Sequence, residues 1–184
     1  MKDIVNEHYQ IHRITEVEHF PEHGGRTETL EFRNAKHELE VVEHLPCFIC
    51  GTMNKRESHH IFERAYWNAL DLKRVAFFLF HHYDFHGHVK RDYKTSDELF
   101  KFFVDHYNGR ETEFVDAQGN KIWTCDDTAA DTIYNQLILD EICHRGEGTG
   151  AHGTSTPTFM ARMAQRKGYE VSMSEKAYKD LINK

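Results

Sequence analysis

Between Cys47 and Glu63 the chain reads CFICGTMNKRESHHIFE, a cysteine pair with a two-residue spacer followed closely by a histidine doublet. Two thiolates at that spacing can hold one side of a tetrahedral Zn²⁺, and Gly51 allows the tight turn around it. One pair supplies only half a site. The other half is expected from the dense patch NQLILDEICHRGEGTGAH, residues 135–152. Cys143 is the natural third ligand, and Asp140, His144 or His152 the fourth. Asp140 precedes Cys143 by the same spacing that separates Cys47 from Cys50. A redox CxxC would need a helix directly after it, and GTMNKRES does not read as one. Cys125 lies outside the pattern and is expected to be a buried thiol. His59 and His60 stand next to each other in a segment that reads as a strand, so their side chains are expected on opposite faces. One can then bind metal or phosphate while the other acts as a base.

Composition narrows the partners. The chain has 184 residues, room for a single domain spanning 1–184, and its 39% hydrophobic and 12% aromatic content is enough for a packed core. The formal charge of −7 excludes nucleic-acid binding through bulk positive charge. Any such contact must use a local basic patch or metal ions. Fifteen histidines supply neutral nitrogen donors and bases near neutral pH. MKDIVNEHYQ has no apolar signal core and no run is long enough to cross a membrane, so a cytoplasmic protein without membrane association is expected.

Residues 1–26 read as a flexible arm. Alternation predicts a strand over 27–32 with a hairpin partner at 36–43. Residues 64–80 read as one buried helix with Tyr66, Trp67, Leu70, Phe77 and Phe80 on its inner face, and 81–94 as a loop. Ser96 is expected to cap a helix running to Tyr107, with Leu99, Phe100, Phe103 and Tyr107 facing the core and Asn108-Gly109 ending it. A short hairpin turns at Gly119-Asn120. The second half of 129–139 reads as a strand leading to Cys143. Pro157 opens a helix to Lys167 that carries Arg162, Arg166 and Lys167, and Ser174 caps a last helix through Ile182.

The motifs HHIFERAYWN (59–68), HRGEGTGAH (144–152) and TPTFMARMAQ (156–165), together with Cys47-x-x-Cys50 and Asn135, resemble the HNH, or ββα-metal, nuclease superfamily, and within it small phage-encoded HNH-like proteins. The resemblance covers the core of the chain and implies an α+β fold. A zinc-stabilised ββα-metal core would carry a mainly helical insertion, 64–134, and C-terminal helices. His60 would be the general base, His59 a metal ligand, Asn135 the residue that fixes the loop and orients the base, and His144 the completion of the catalytic metal site. Cys47, Cys50 and Cys143 would hold a structural zinc. Asp140 stands where the family has cysteine, so the fourth ligand remains open between Asp140, His144 and His152. His152 is also a candidate for the last histidine of the catalytic metal site. That metal would be Mg²⁺ or another divalent ion. Arg145 is a candidate phosphate contact, and the glycines of 146–150 let backbone N–H groups approach one.

The function so implied is metal-dependent hydrolysis of DNA by a phage-encoded endonuclease acting in a bacterial cytoplasm. The alternative is a catalytically inactive zinc-binding phage protein that binds DNA or inhibits a host protein.

Overall fold

The computed structural model describes residues 28–146 and 150–152. The first 26 residues and the two helices expected after Pro157 and Ser174 lie outside these. Among the described residues the fold is mixed α/β, with two separate two-stranded antiparallel sheets. No helix among them is long and apolar enough to cross a membrane.

The segment expected as a hairpin is helical. α1 spans Leu30–His37 and continues as a π-helical turn, Glu38–Val42. Thr29 caps it, its hydroxyl accepting the Phe32 N–H at 3.0 Å. Glu31 lies in the first turn and Lys36 and His37 in the last, which complements the helix dipole. Ala35 and Leu39, four apart, form the buried stripe. That spacing and the cap outweigh a strand alternation carried by only two apolar residues.

β1 (Arg56–His60) pairs with β4 (Gln136–Asp140), running from Arg56 opposite Asp140 to His60 opposite Gln136. Everything between the two strands is insertion. It opens with a 3₁₀ turn, Arg64–Ala69, and then α2, Leu72–His81. The single helix expected over 64–80 is therefore broken. Leu70 is extended, and the Asp71 carboxylate caps α2 by accepting the Lys73 N–H at 3.1 Å. This restart rotates the helix so that Leu72, Val75, Ala76 and Leu79 face inward, while Phe77 is 46% exposed.

The expected loop at 81–94 contains a short helix, α3 (His88–Asp92), entered through Gly87 at φ 78°. The Asp84 carboxylate caps it by accepting the Val89 and Lys90 N–H groups. α4 runs Ser96–His106, capped by Thr95 rather than Ser96. Leu99 and Phe103 are fully buried, and Asn108 at φ 52° ends the helix. β2 (Arg110–Val115) and β3 (Lys121–Thr124) form the second hairpin, with Gly119 at φ 82° in its turn. Two 3₁₀ turns, Asp127–Asp131 and Ile133–Asn135, lead back into β4, and α5 (Glu141–Arg145) follows.

Two apolar clusters result. The larger lies inside the insertion around Trp67, Leu79, Leu99 and Phe103, and holds Cys125, whose Sγ accepts the Trp67 indole N–H at 3.5 Å. Cys125 is thus the buried thiol expected. The smaller cluster is built on Cys47, Leu137, Leu139 and Cys143. β4 is buried along its whole length, so its second edge must also be satisfied. Ile138 does this in both directions. Its carbonyl accepts the Phe48 N–H at 2.8 Å, and its N–H donates to His86 Nε2 at 3.2 Å. Burial keeps His86 neutral by pulling its pKa down to about 4, which preserves the acceptor nitrogen.

Candidate metal centres

The turn after Pro46 folds Cys47 and Cys50 around one point. Gly51 N–H donates to the Cys47 carbonyl at 2.9 Å, and Gly51 takes φ 74°. The bond from Phe48 to Ile138 then docks this turn against β4. Cys143 arrives from α5. Asp140 ends β4 and caps α5, one carboxylate oxygen accepting the Cys143 N–H at 2.6 Å. Its other oxygen accepts from the Cys50 thiol at 2.8 Å. Cys47, Cys50, Asp140 and Cys143 bring one ligand atom each to within 4.8 Å of one another. Cys47 and Cys143 are buried and Cys50 is exposed. Of the three candidates for the fourth position, Asp140 lies with the thiols, and His144 and His152 belong to a different group.

The chemistry of this donor set suits a cation. Burial, and then the charges of Cys47, Cys50 and Asp140, push the Cys143 thiol well above the usual range. Burial and the bond to Asp140 push Cys50 up to about 11. Burial also opposes ionisation of Asp140, yet hydrogen bonds from Cys143 and Cys50 hold its pKa below normal. Several thiols beside an ionised carboxylate repel one another as anions, and a bound divalent ion removes that penalty.

Beside it, α5 presents His144 and β1 presents His59. The chain then folds back over the end of α5. Gly150 N–H donates to the Gly146 carbonyl at 2.7 Å, Ala151 to Cys143 at 2.9 Å, and His152 to His144 at 3.1 Å. A Cβ on Gly150 would lie 2.5 Å from the Gly146 nitrogen and 2.7 Å from the His144 oxygen, so only glycine permits this approach. Of the glycines expected to offer N–H groups to a phosphate, Gly146 donates to the Ile142 carbonyl and Gly150 to the Gly146 carbonyl. This fold-back sets His152 beside His144, with the two Nε2 atoms 3.1 Å apart.

His59, His144 and His152 form the second group of potential ligands, again within 4.8 Å. Nitrogens bound at about 2 Å to a tetrahedral ion lie about 3.3 Å apart, so the two Nε2 atoms already stand near ligand spacing. Burial, then the neighbouring His144 and His152, lower the His59 pKa to about 3, and burial lowers that of His144. Neutral imidazoles keep the lone pairs that metals need.

Two residues at these centres carry no motif in the sequence. Glu57 lies on the same face of β1 as His59 and accepts from His144 Nδ1 at 2.7 Å. That bond leaves Nε2 as the atom available to coordinate and fixes the ring. Glu57 also grips Arg145, whose Nε donates to it at 2.9 Å. The candidate phosphate contact is thus an ion-pair partner in this structure. Replacing Glu57 by glutamine is expected to weaken binding of Co²⁺ or Ni²⁺ to the histidine centre by about 10–100-fold, as loss of such outer ligand partners does elsewhere. Titration followed by calorimetry checks it, with the cysteine centre already loaded; unchanged affinity would remove Glu57 from the site.

The second unmarked residue is Asp131, which binds the other histidine of the doublet. His60 leaves the opposite face of β1, with Nε2 2.8 Å from Asp131 Oδ1 and its ring stacked on Phe32 at 5.3 Å. It is therefore not one of the three clustered imidazoles. Asn135, fully buried, clamps the chain just beyond: its Oδ1 accepts the Phe62 N–H at 2.9 Å, and its Nδ2 donates to the Phe62 and Ala130 carbonyls.

Protein families, curated proteins and solved structures were compared with the chain. None matches.

Proposed function

We propose that this chain is a metal-dependent endonuclease of the HNH, or ββα-metal, type that hydrolyses DNA phosphodiester bonds, and that it is phage-encoded. The observation that carries the reading is the split of the doublet. β1 sends His59 to a three-histidine ligand group and His60, on its other face, to a carboxylate partner. Ligand and base must differ in environment to do different work, and adjacent positions on a strand achieve that.

Cys47, Cys50, Cys143 and Asp140 would hold a structural Zn²⁺, since thiolates select it and a full set of four protein ligands closes the site. His59, His144 and His152 would hold Mg²⁺ or another divalent ion with positions left open, and their nitrogen donors favour the softer choices. The bound ion would supply neutralisation of charge on the scissile phosphate and leaving oxygen. The chain's own groups do the rest. His60 accepts a proton from the attacking water. Asn135 holds the strand end and the Ala130–Asn135 turn together, which keeps His60 in place. Glu57 orients His144, and Arg145 meets a phosphate only by exchanging its partner.

One observation favours the alternative, an inactive zinc protein that binds DNA or inhibits a host protein. Arg145, the cation beside the histidines, is already committed to Glu57, and the chain carries a net charge of −7. Plasmid nicking separates the two. With Mg²⁺, Mn²⁺ or Ni²⁺ added, the wild type is expected to convert supercoiled to open-circular DNA, and His144→Ala to lose this by at least about 10²-fold while retaining its zinc. A zinc-loaded wild type that leaves the plasmid uncut with every one of these metals would favour the binding module.

A further inference from the structure

Asp131 ends the 3₁₀ turn Asp127–Asp131 and is 1% exposed. Its Oδ1 faces His60 Nε2 at 2.8 Å, and its Oδ2 accepts the Thr29 hydroxyl at 2.6 Å and lies 3.4 Å from the Arg64 guanidinium. An ionised carboxylate is an acceptor only, so the proton in the bond to His60 sits on Nε2. Neutral His60 then has its lone pair on Nδ1. Phe32 covers one face of the ring, and the side chain retains 19% exposure. Three segments far apart in sequence thus lock one imidazole: α1 through Thr29 and Phe32, the turn at Arg64, and the end of the insertion.

We propose that Asp131 is the positioning residue for His60, fixing the Nε2–H tautomer so that Nδ1 is the atom that takes the proton from water. This rests on the nuclease reading above. In the step, a water O–H bond breaks and its proton goes to His60 Nδ1. The water oxygen bonds to phosphorus, and the P–O ester bond breaks with its electron pair leaving on the ester oxygen, which takes a proton from solvent. Asp131 offsets the charge of the resulting imidazolium, as an ionised neighbour of a general base does. The insertion is then part of the active centre: without it β1 would present His60 with no fixed tautomer.

The test uses the full chain with zinc bound and histidines labelled with ¹⁵N. Long-range ¹H–¹⁵N spectra near neutral pH, assigned with His60→Ala, should show His60 protonated at Nε2 in the wild type and a mixed or reversed tautomer in Asp131→Asn. In plasmid nicking, Asp131→Asn should lower kcat by about 10²-fold or more with little change in KM, and Asp131→Glu should recover part of it. If Asp131→Asn fails to fold, the wild-type tautomer still decides. An Nδ1–H tautomer in a wild type that nicks DNA overturns the assignment of Asp131 alone. A tautomer and kcat unchanged in folded Asp131→Asn do the same. A wild type that leaves the plasmid uncut with Mg²⁺, Mn²⁺ and Ni²⁺ alike overturns the catalytic step together with the nuclease reading, whatever the tautomer.

Discussion

Cys47→Ser is expected to release the structural metal and unfold the β1–β4–α5 unit. The apolar cluster at this centre has four buried members, Cys47, Leu137, Leu139 and Cys143, and two of these are themselves candidate ligands. Burial of the two leucines contributes roughly 1.5–3 kcal/mol each. A structural Zn²⁺ contributes on the order of 10–16 kcal/mol in small metal-folded domains at neutral pH. The metal term is the larger by several-fold, so the packing left behind cannot hold the strands. Elemental analysis should find about one Zn²⁺ per wild-type chain at the cysteine centre and none in the variant. Hydrogen exchange should show the β4 amides losing protection. The insertion has its own core around Trp67, Leu79, Leu99 and Phe103, and amides of α2 and α4 should keep theirs. A metal-free serine variant with β4 still protected would refute the structural site.

The second large effect is expected at His60. His60→Ala should reduce DNA nicking by about 10²–10⁴-fold, the usual contribution of a positioned general base. Zinc content and divalent-ion affinity should stay as in the wild type, because His60 faces Phe32 and Asp131 and not the clustered imidazoles. The variant leaves a buried carboxylate short of one donor, at a cost of about 1–3 kcal/mol that urea denaturation will show as an earlier midpoint. Thr29 and Arg64 still serve Asp131, which keeps the loss at the lower end. Cleavage at the wild-type rate by a folded His60→Ala protein would remove the base from the mechanism.

Local chemistry was readable where a few adjacent residues decide the outcome. The turn at Gly119 follows from a positive φ that glycine adopts without strain, and the end of α4 at Asn108 from the same preference. β4 was readable as a strand because its apolar run is short and leads directly into Cys143. Elements set by competition between local signals were not. Two alternating apolar residues suggested a strand at 27–32, where Thr29 and the Ala35–Leu39 stripe make a helix. Asp71 restarts the helix expected to be continuous, and so turns Phe77 outward.

For the centres themselves, residue type and spacing nominated Cys47, Cys50, Cys143, Asp140, His144 and His152, since metal chemistry restricts donors to a few side chains, and the resemblance to HNH nucleases added His59. Assigning them to two groups required the fold. Asp140 joins the thiols because it ends a strand and caps the next helix, and His152 joins His144 because Gly150 lets the chain return over α5. Glu57 and Asp131 could be found only in three dimensions. A carboxylate becomes a histidine's partner through strand register and the return of a long insertion, and neither leaves a mark in the residues beside it.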